Sequence, residues 1–178
     1  MGAFEELTDQ LLFGQELPIT FPYSKSSFKG KESDSEAIRM MTAIGQGDTL
    51  VTPMHMAMIT AAIANDGVLM TPRFMDRTEN YTGTVVVEEY PVTEYGSLMT
   101  TEEAKTLQEF MRAVVEEGTA TALQSEQYTA AGKTGTAEYS SNKNQSHAWF
   151  TGFVTGEKPD LAVCVLVPAD IFSKKLVY

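Results

Sequence analysis

Thr52-Pro53, followed by Met54-His55-Met56-Ala57-Met58-Ile59-Thr60-Ala61-Ala62-Ile63-Ala64, constrains this chain more than any other run. Threonine can cap the free amides of a helix start, and proline suits the first helical position. A helix is therefore predicted from Met54 to about Asn65. Apolar residues lie all around it, so no face suits water and the helix must be central and buried. Asn65-Asp66-Gly67 supplies the stop, with glycine available for a left-handed cap. The methionines read as core filler rather than as a ligand site.

Around this helix the chain reads as helices first and strands after. Residues 5–13 suit a short helix, and 18–34, rich in Ser, Lys, Pro and Gly, suit a surface loop. A short apolar helix over 38–44 is stopped by Gly45-Gln46-Gly47. Residues 84–90 suggest an edge strand or hairpin. Thr100-x-x-Glu103 is a capping box. It opens a helix with Leu107, Phe110, Met111, Val114 and Val115 on one face, ending near Gly118. Strands are expected over 128–137, 147–155 and 161–167, the last a continuous apolar run that suits burial on both faces. Polar, turn-like connections at 142–144 and 156–159 make an antiparallel meander. The fold class is α+β, with helices packed on an antiparallel sheet of about three strands.

Composition narrows the functions. The chain has 178 residues and a formal net charge of −11. That length suits one domain or part of one. Acidic pairs at Glu5-Glu6, Glu88-Glu89, Glu102-Glu103 and Glu116-Glu117 read as solvated surface, and such a field argues against nucleic-acid binding. One cysteine, Cys164, lies inside an apolar run, so no intrachain disulfide forms and the thiol reads as a small hydrophobe. His55 and His147 have no Cys/His cluster beside them, which argues against a metal. No cofactor is expected. The sequons at Asn80 and Asn144 are short enough to arise by chance. No apolar run reaches the roughly 18 residues of a membrane span, so the chain as given is expected to be soluble.

The chemistry concentrates in Ala131-Gly132-Lys133-Thr134-Gly135-Thr136-Ala137. A strand interior normally avoids glycine, so two glycines flanking Lys-Thr suggest that something approaches this backbone closely. A phosphate-binding loop would need glycine at position 127, which is Gln, and a helix after the loop. Serine acyl-transfer enzymes use the same Lys-Thr-Gly on a strand. Lys133 offers a positive charge, Thr134 and Thr136 offer hydroxyl donors, and Gly135 lets a substrate backbone lie against the strand. The plain alternative is an edge strand with a surface lysine.

Context decides between them. Ile44-Gly45-Gln46-Gly47, then Val51-Thr52-Pro53 opening an Ala/Met-rich helix, then Ala64-Asn65-Asp66-Gly67, resembles the penicillin-binding transpeptidases of bacterial cell-wall synthesis. Gly118-Thr119-Ala120 before the Lys-Thr-Gly strand and Ala148-Trp149-Phe150-Thr151-Gly152 after it fit the same order. The resemblance spans roughly residues 38–167. It implies that Lys133 and Thr136 are catalytic residues lining the active site and that Thr134, Gly135 and Thr136 bind substrate. In particular, Thr134 and Thr136 would hold the carboxylate of a stem peptide or β-lactam. The Thr136 amide would form half the oxyanion hole, the nucleophile's own amide the other half. The parent protein would work at the extracytoplasmic face of the bacterial membrane.

The family's nucleophile sits in Ser-x-x-Lys, followed by Ser-x-Asn well before Gly-Gln-Gly. Here Ser-x-x-Lys occurs at Ser26 and at Ser140, but about 0.6 such pairs arise by chance at this Ser and Lys content. No apolar helix follows Ser26, and Ser140-x-Asn142 comes after Lys-Thr-Gly, so both read as decoys. The chain is thus expected to be the C-terminal part of a transpeptidase domain, inactive without its N-terminal part. Its last strand would then lack a neighbour and could drive self-association. The alternative is a non-catalytic binding or assembly domain of the same fold.

Overall fold

The computed structural model describes residues 2–138, 146–155 and 161–168. Ser140-x-Asn142, the Asn144 sequon and the expected turns at 142–144 and 156–159 lie outside these residues. The order is α1 (Gly2–Gln10), α2 (Glu36–Ala43), α3 (Pro53–Ala64), β1 (Val68–Met70), β2 (Arg77–Glu79), β3 (Val86–Glu89) and β4 (Glu94–Ser97). Then follow α4 (Thr101–Glu116), a 3-10 turn at Thr121–Leu123, β5 (Thr129–Glu138), β6 (Ser146–Thr155) and β7 (Ala162–Val167). This is the α+β architecture expected, and the three long strands form one antiparallel sheet in the order β5-β6-β7.

α3 is the hub. Thr52 Oγ1 accepts from the His55 amide at 3.2 Å, with Pro53 in the first turn. His55, Met58, Ile59, Thr60, Ala62 and Ile63 are buried. The helix touches β1, β6, β7 and α4, which is why it has no polar face to spare. Its stop differs in detail from the glycine cap expected. Asp66 takes the first left-handed position (φ 53°), and Gly67 follows with φ 95°. A side chain at position 67 would run into the Met99 carbonyl, so glycine there also answers to close packing.

The α4 start is a full capping box. Thr100 Oγ1 accepts from the Glu103 amide, and the Glu103 carboxylate accepts from the Thr100 amide at 2.8 Å. The Thr100 amide and the Thr100 hydroxyl, both donating to it, hold the Glu103 carboxyl below its usual range. The face that α4 buries matches its apolar spacing only at Met111 and Val115. Ala104, Met111 and Val115 face the core, whereas Leu107 and Phe110 are exposed. Small Ala104 permits close approach, and Gln108 on this side donates to the Ile63 carbonyl at 2.7 Å. That bond satisfies a carbonyl of the last turn of α3, which a leucine could not do.

β7 also departs from expectation. It is half-buried along its length, and Val165 is exposed. Among the described residues β7 pairs only with β6, so one edge and part of one face are open. The hairpin expected near 84–90 is β2–β3. The β1–β4 pair had no signal: β1 is three residues long, and β4 is Glu-Tyr-Gly-Ser.

Candidate active site

Two glycines bracket the Lys-Thr pair for different reasons. A side chain on Gly132 would collide with the ring of Phe150 on β6. At Gly135 it would meet only the Trp149 Cβ, at 3.4 Å. The close approach at Gly132 is therefore internal packing, and the open space at Gly135 belongs to a cleft. That cleft has a volume of about 600 Å³ and is lined by Lys133 through Ala137, by Trp149, Phe150 and Thr151, and by Ile44, Gly45, Val51 and Met56. Among these residues Lys133 is the one that carries a charge.

Strand parity fixes which way the backbone of β5 points. The Val154 amide donates to the Leu161 carbonyl, so even-numbered β6 residues turn their backbone groups to β7 and odd-numbered ones to β5. The register pairs Thr151 with Lys133 and Trp149 with Gly135 without interruption. The amides and carbonyls of Thr134 and Thr136 therefore face the other edge of β5, which no described strand covers. Two side chains reach that edge. Lys133 Nζ donates to the Thr134 carbonyl at 2.6 Å. Gln46 Nε2, from the loop after α2, donates to the Thr136 carbonyl at 2.9 Å.

The side chains of the pair are also held. Lys133 lies on the face that α3 covers, since its cross-strand partner Thr151 bonds Thr60 of α3 through the two hydroxyls. The Thr134 hydroxyl lies 2.6 Å from that of Thr119, just past α4. A hydroxyl has one donor and two acceptor sites, so a bond donated by Thr119 leaves the Thr134 proton free for a ligand. Gly135 and Thr136 are exposed. The structure thus gathers Lys133, Thr134, Gly135 and Thr136 on one cleft edge. Sequence reading assigned no role to Gln46 or Thr119, although both stood beside glycines in the quoted motifs.

Ser26 is elsewhere. It is 2% exposed, its Oγ accepts from the Thr52 amide at 3.1 Å, and its carbonyl accepts from the Gly14 amide. A buried hydroxyl engaged in this way is a structural group. Lys29 of the same run lines a separate cavity of about 850 Å³ between α1 and α2, which shares no residue with the Lys-Thr-Gly cleft. Burial pushes the Cys164 thiol above its usual range, so it stays protonated at neutral pH. Among the described residues no group of three or more His, Cys, Asp or Glu is placed to hold a metal ion, and no helix is long and apolar enough to cross a membrane.

Comparison with known proteins bears on this arrangement. The model of the family "Penicillin binding protein transpeptidase domain" matches residues 1–175. A peptidoglycan D,D-transpeptidase PbpA of Mycolicibacterium smegmatis is 33% identical over 133 residues, covering 71% of this chain and 26% of the relative. Penicillin-binding protein 3 of Bacillus subtilis is 29% identical over 161 residues, covering 87% of this chain and 23% of the relative. Penicillin-binding protein A from M. tuberculosis, solved as an imipenem acyl-enzyme complex, superposes with a TM-score of 0.83 at 26% identity, over 95% of this chain and 38% of that one. The chain spans about a quarter of the length of the curated relatives it matches. A family match over nearly the whole chain, on a fold that brings the Lys-Thr-Gly edge to a cleft, means that the chain belongs to the penicillin-binding protein transpeptidase domain family.

Proposed function

We propose that this chain forms the Lys-Thr-Gly side of a D,D-transpeptidase active site that crosslinks peptidoglycan stem peptides and is acylated by β-lactams. The observation that carries this reading is the open edge of β5, with the Thr134 and Thr136 backbone facing the cleft beside the Lys133 ammonium. Thr134 and Thr136 bind the terminal carboxylate through their hydroxyls, and Lys133 adds a charge-assisted contact. Gly135 leaves room for the ligand backbone. The Thr136 amide donates to the oxyanion.

The chemistry needs a serine from the rest of the domain. Its hydroxyl oxygen attacks the carbonyl carbon of a D-Ala-D-Ala stem or a β-lactam ring. A C–O bond forms, the carbonyl π pair moves onto oxygen, and the hydroxyl proton passes to a base in the rest of the domain. Collapse breaks the C–N bond, and the leaving nitrogen takes a proton. An amine of a second stem then displaces the serine, which recovers its proton from that amine. In a β-lactam the leaving nitrogen stays tethered, which favours a lasting acyl-enzyme.

The partners in this reading are a stem peptide or a β-lactam, together with the N-terminal part of the domain, at the extracytoplasmic face of a bacterial membrane. Without that part, the chain self-associates through the free β7 edge. A non-catalytic binding domain is the second reading, favoured by the structural use of Ser26. Fluorescent penicillin tests both on the full-length gene product. Covalent labelling at a serine upstream of this chain supports the first reading. No labelling supports the second, and labelling at Ser26 overturns the assignment of that residue.

A further inference from the structure

We infer that Gln46 is a positioning residue for the oxyanion-binding amide of Thr136. The inference rests on the transpeptidase reading above, and it adds a residue to which no motif assigns a role. The local fold supports it at each step. The last turn of α2 closes with two bonds: the Gly45 amide donates to the Thr42 carbonyl, and the Gln46 amide donates to the Met41 carbonyl at 2.9 Å. This pattern needs a left-handed residue at position 45, and Gly45 supplies it with φ 82°. Gly47 is left-handed too, with φ 92°. A side chain at position 45 would meet nothing within 4 Å, so glycine there is a matter of backbone shape and not of space.

Two left-handed residues therefore bracket Gln46, and its own amide is anchored to a helix end. The result is a half-buried side chain projected onto β5, 90 residues away in sequence. The bond formed there is specific. Its acceptor is the Thr136 carbonyl, on the free edge of the strand. In a strand, the amide and carbonyl of one residue point the same way, so holding the Thr136 carbonyl also holds the direction of its amide. β5 has no neighbouring strand on this edge among the described residues to do that job. A carboxamide suits it: the –NH2 group donates, and it adds no charge beside the developing oxyanion.

The test is acylation of the full-length gene product by a fluorescent penicillin in stopped flow, separating the non-covalent dissociation constant from the acylation rate constant. Gln46→Leu is expected to slow acylation about 10-fold with the dissociation constant changed less than about 2-fold. Removing an oxyanion donor outright costs about 10²–10³, and removing its support costs less. Gln46→Glu gives a second readout. Ionised, it cannot donate to the Thr136 carbonyl; protonated, it can. Its rate relative to wild type is therefore expected to recover as pH falls toward the carboxyl pKa. A purely structural role would lower the labelled fraction and the melting temperature but would give no such pH-dependent recovery. Labelling of the wild type with an unchanged rate in Gln46→Leu overturns the role of Gln46 alone. A flat ratio for Gln46→Glu across pH does the same. No labelling of the wild type overturns the transpeptidase reading and this inference together.

Discussion

Gly132 on β5 stands directly opposite Gly152 on β6, and the ring of Phe150 fills the space that both side chains would need. The ring is a cross-strand cover for two bare backbone positions. Gly132→Ala must displace the ring and Gly152→Ala must also push the Ala131 carbonyl, and each is expected to cost about 1–3 kcal/mol, the usual range for overpacking. Phe150→Leu should recover part of the Gly132→Ala loss. Gly135→Ala has room and should change stability by less than about 1 kcal/mol, yet slow β-lactam acylation. Equal stability losses at 132 and 135 in urea unfolding would contradict this division.

Thr119 and Thr134 share a hydroxyl–hydroxyl bond at the cleft edge. Thr119→Val removes the hydroxyl that pairs with Thr134 and so the group that orients the Thr134 hydroxyl at the cleft edge. A loss of about 1 kcal/mol, or roughly fivefold, is expected in the non-covalent dissociation constant for a β-lactam. The acylation rate constant should hold. This split is the reverse of the one expected at Gln46, and stopped-flow measurements on both variants separate the two roles.

Thr60 and Thr151 tie α3 to the middle of the sheet: their two hydroxyl protons serve the bond between them and one of the two carbonyls in reach, that of Met56 or that of Val163. Single valine substitutions are expected to cost about 1 kcal/mol each, with a coupling energy of about 0.5–1.5 kcal/mol in a double-mutant cycle. Additive losses would show that the contact carries no energy of its own.

His55 is 1% exposed, and its Nε2 bonds the Leu11 carbonyl at 2.8 Å, while its Nδ1 has no partner among the described residues. Burial lowers its pKa below the ordinary value. The unfolded chain then takes up a proton as pH falls through about 6.5, and the folded chain does so only lower. Stability should be full above that pH, fall below it, and level off once the folded imidazole protonates. His55→Gln should flatten the dependence between about pH 7.5 and 5.5, read by denaturant midpoints. An unchanged slope in the variant would place the titration elsewhere.

Sedimentation velocity of the 178-residue chain tests the β7 edge that no described strand pairs. The backbone groups of Ala162, Cys164 and Leu166 turn away from β6, since the odd-numbered residues of β7 face it. Concentration-dependent association is expected, and a monodisperse monomer would sink the idea.

Much of this was legible in sequence because the signals were local. Thr52-Pro53, Thr100-x-x-Glu103 and the all-round apolar run of α3 each announce themselves within a few residues. The Lys-Thr-Gly strand could be read because a strand that carries two glycines needs a reason. What stayed hidden depended on partners distant in the chain. The inward side of α4 includes Gln108, which reaches the end of α3, a polar residue that no hydrophobic count would place inward. The Gln46 and Thr119 contacts join segments 90 and 15 residues apart, and only the assembled sheet brings them together.

The packing of α3 against β6 and β7 has a further consequence, for the order in which the chain can fold. Its partners β6 and β7 lie far downstream, so on a translating ribosome the helix emerges well before the surfaces that cover it. Closing so long a loop is slow, and until it closes the face of the helix that β6 and β7 cover stands in water, with β1 and α4 covering the rest. Nascent chains arrested before Ser146 should be cut by protease around α3 and bind chaperone, while chains extended beyond Pro168 should resist both.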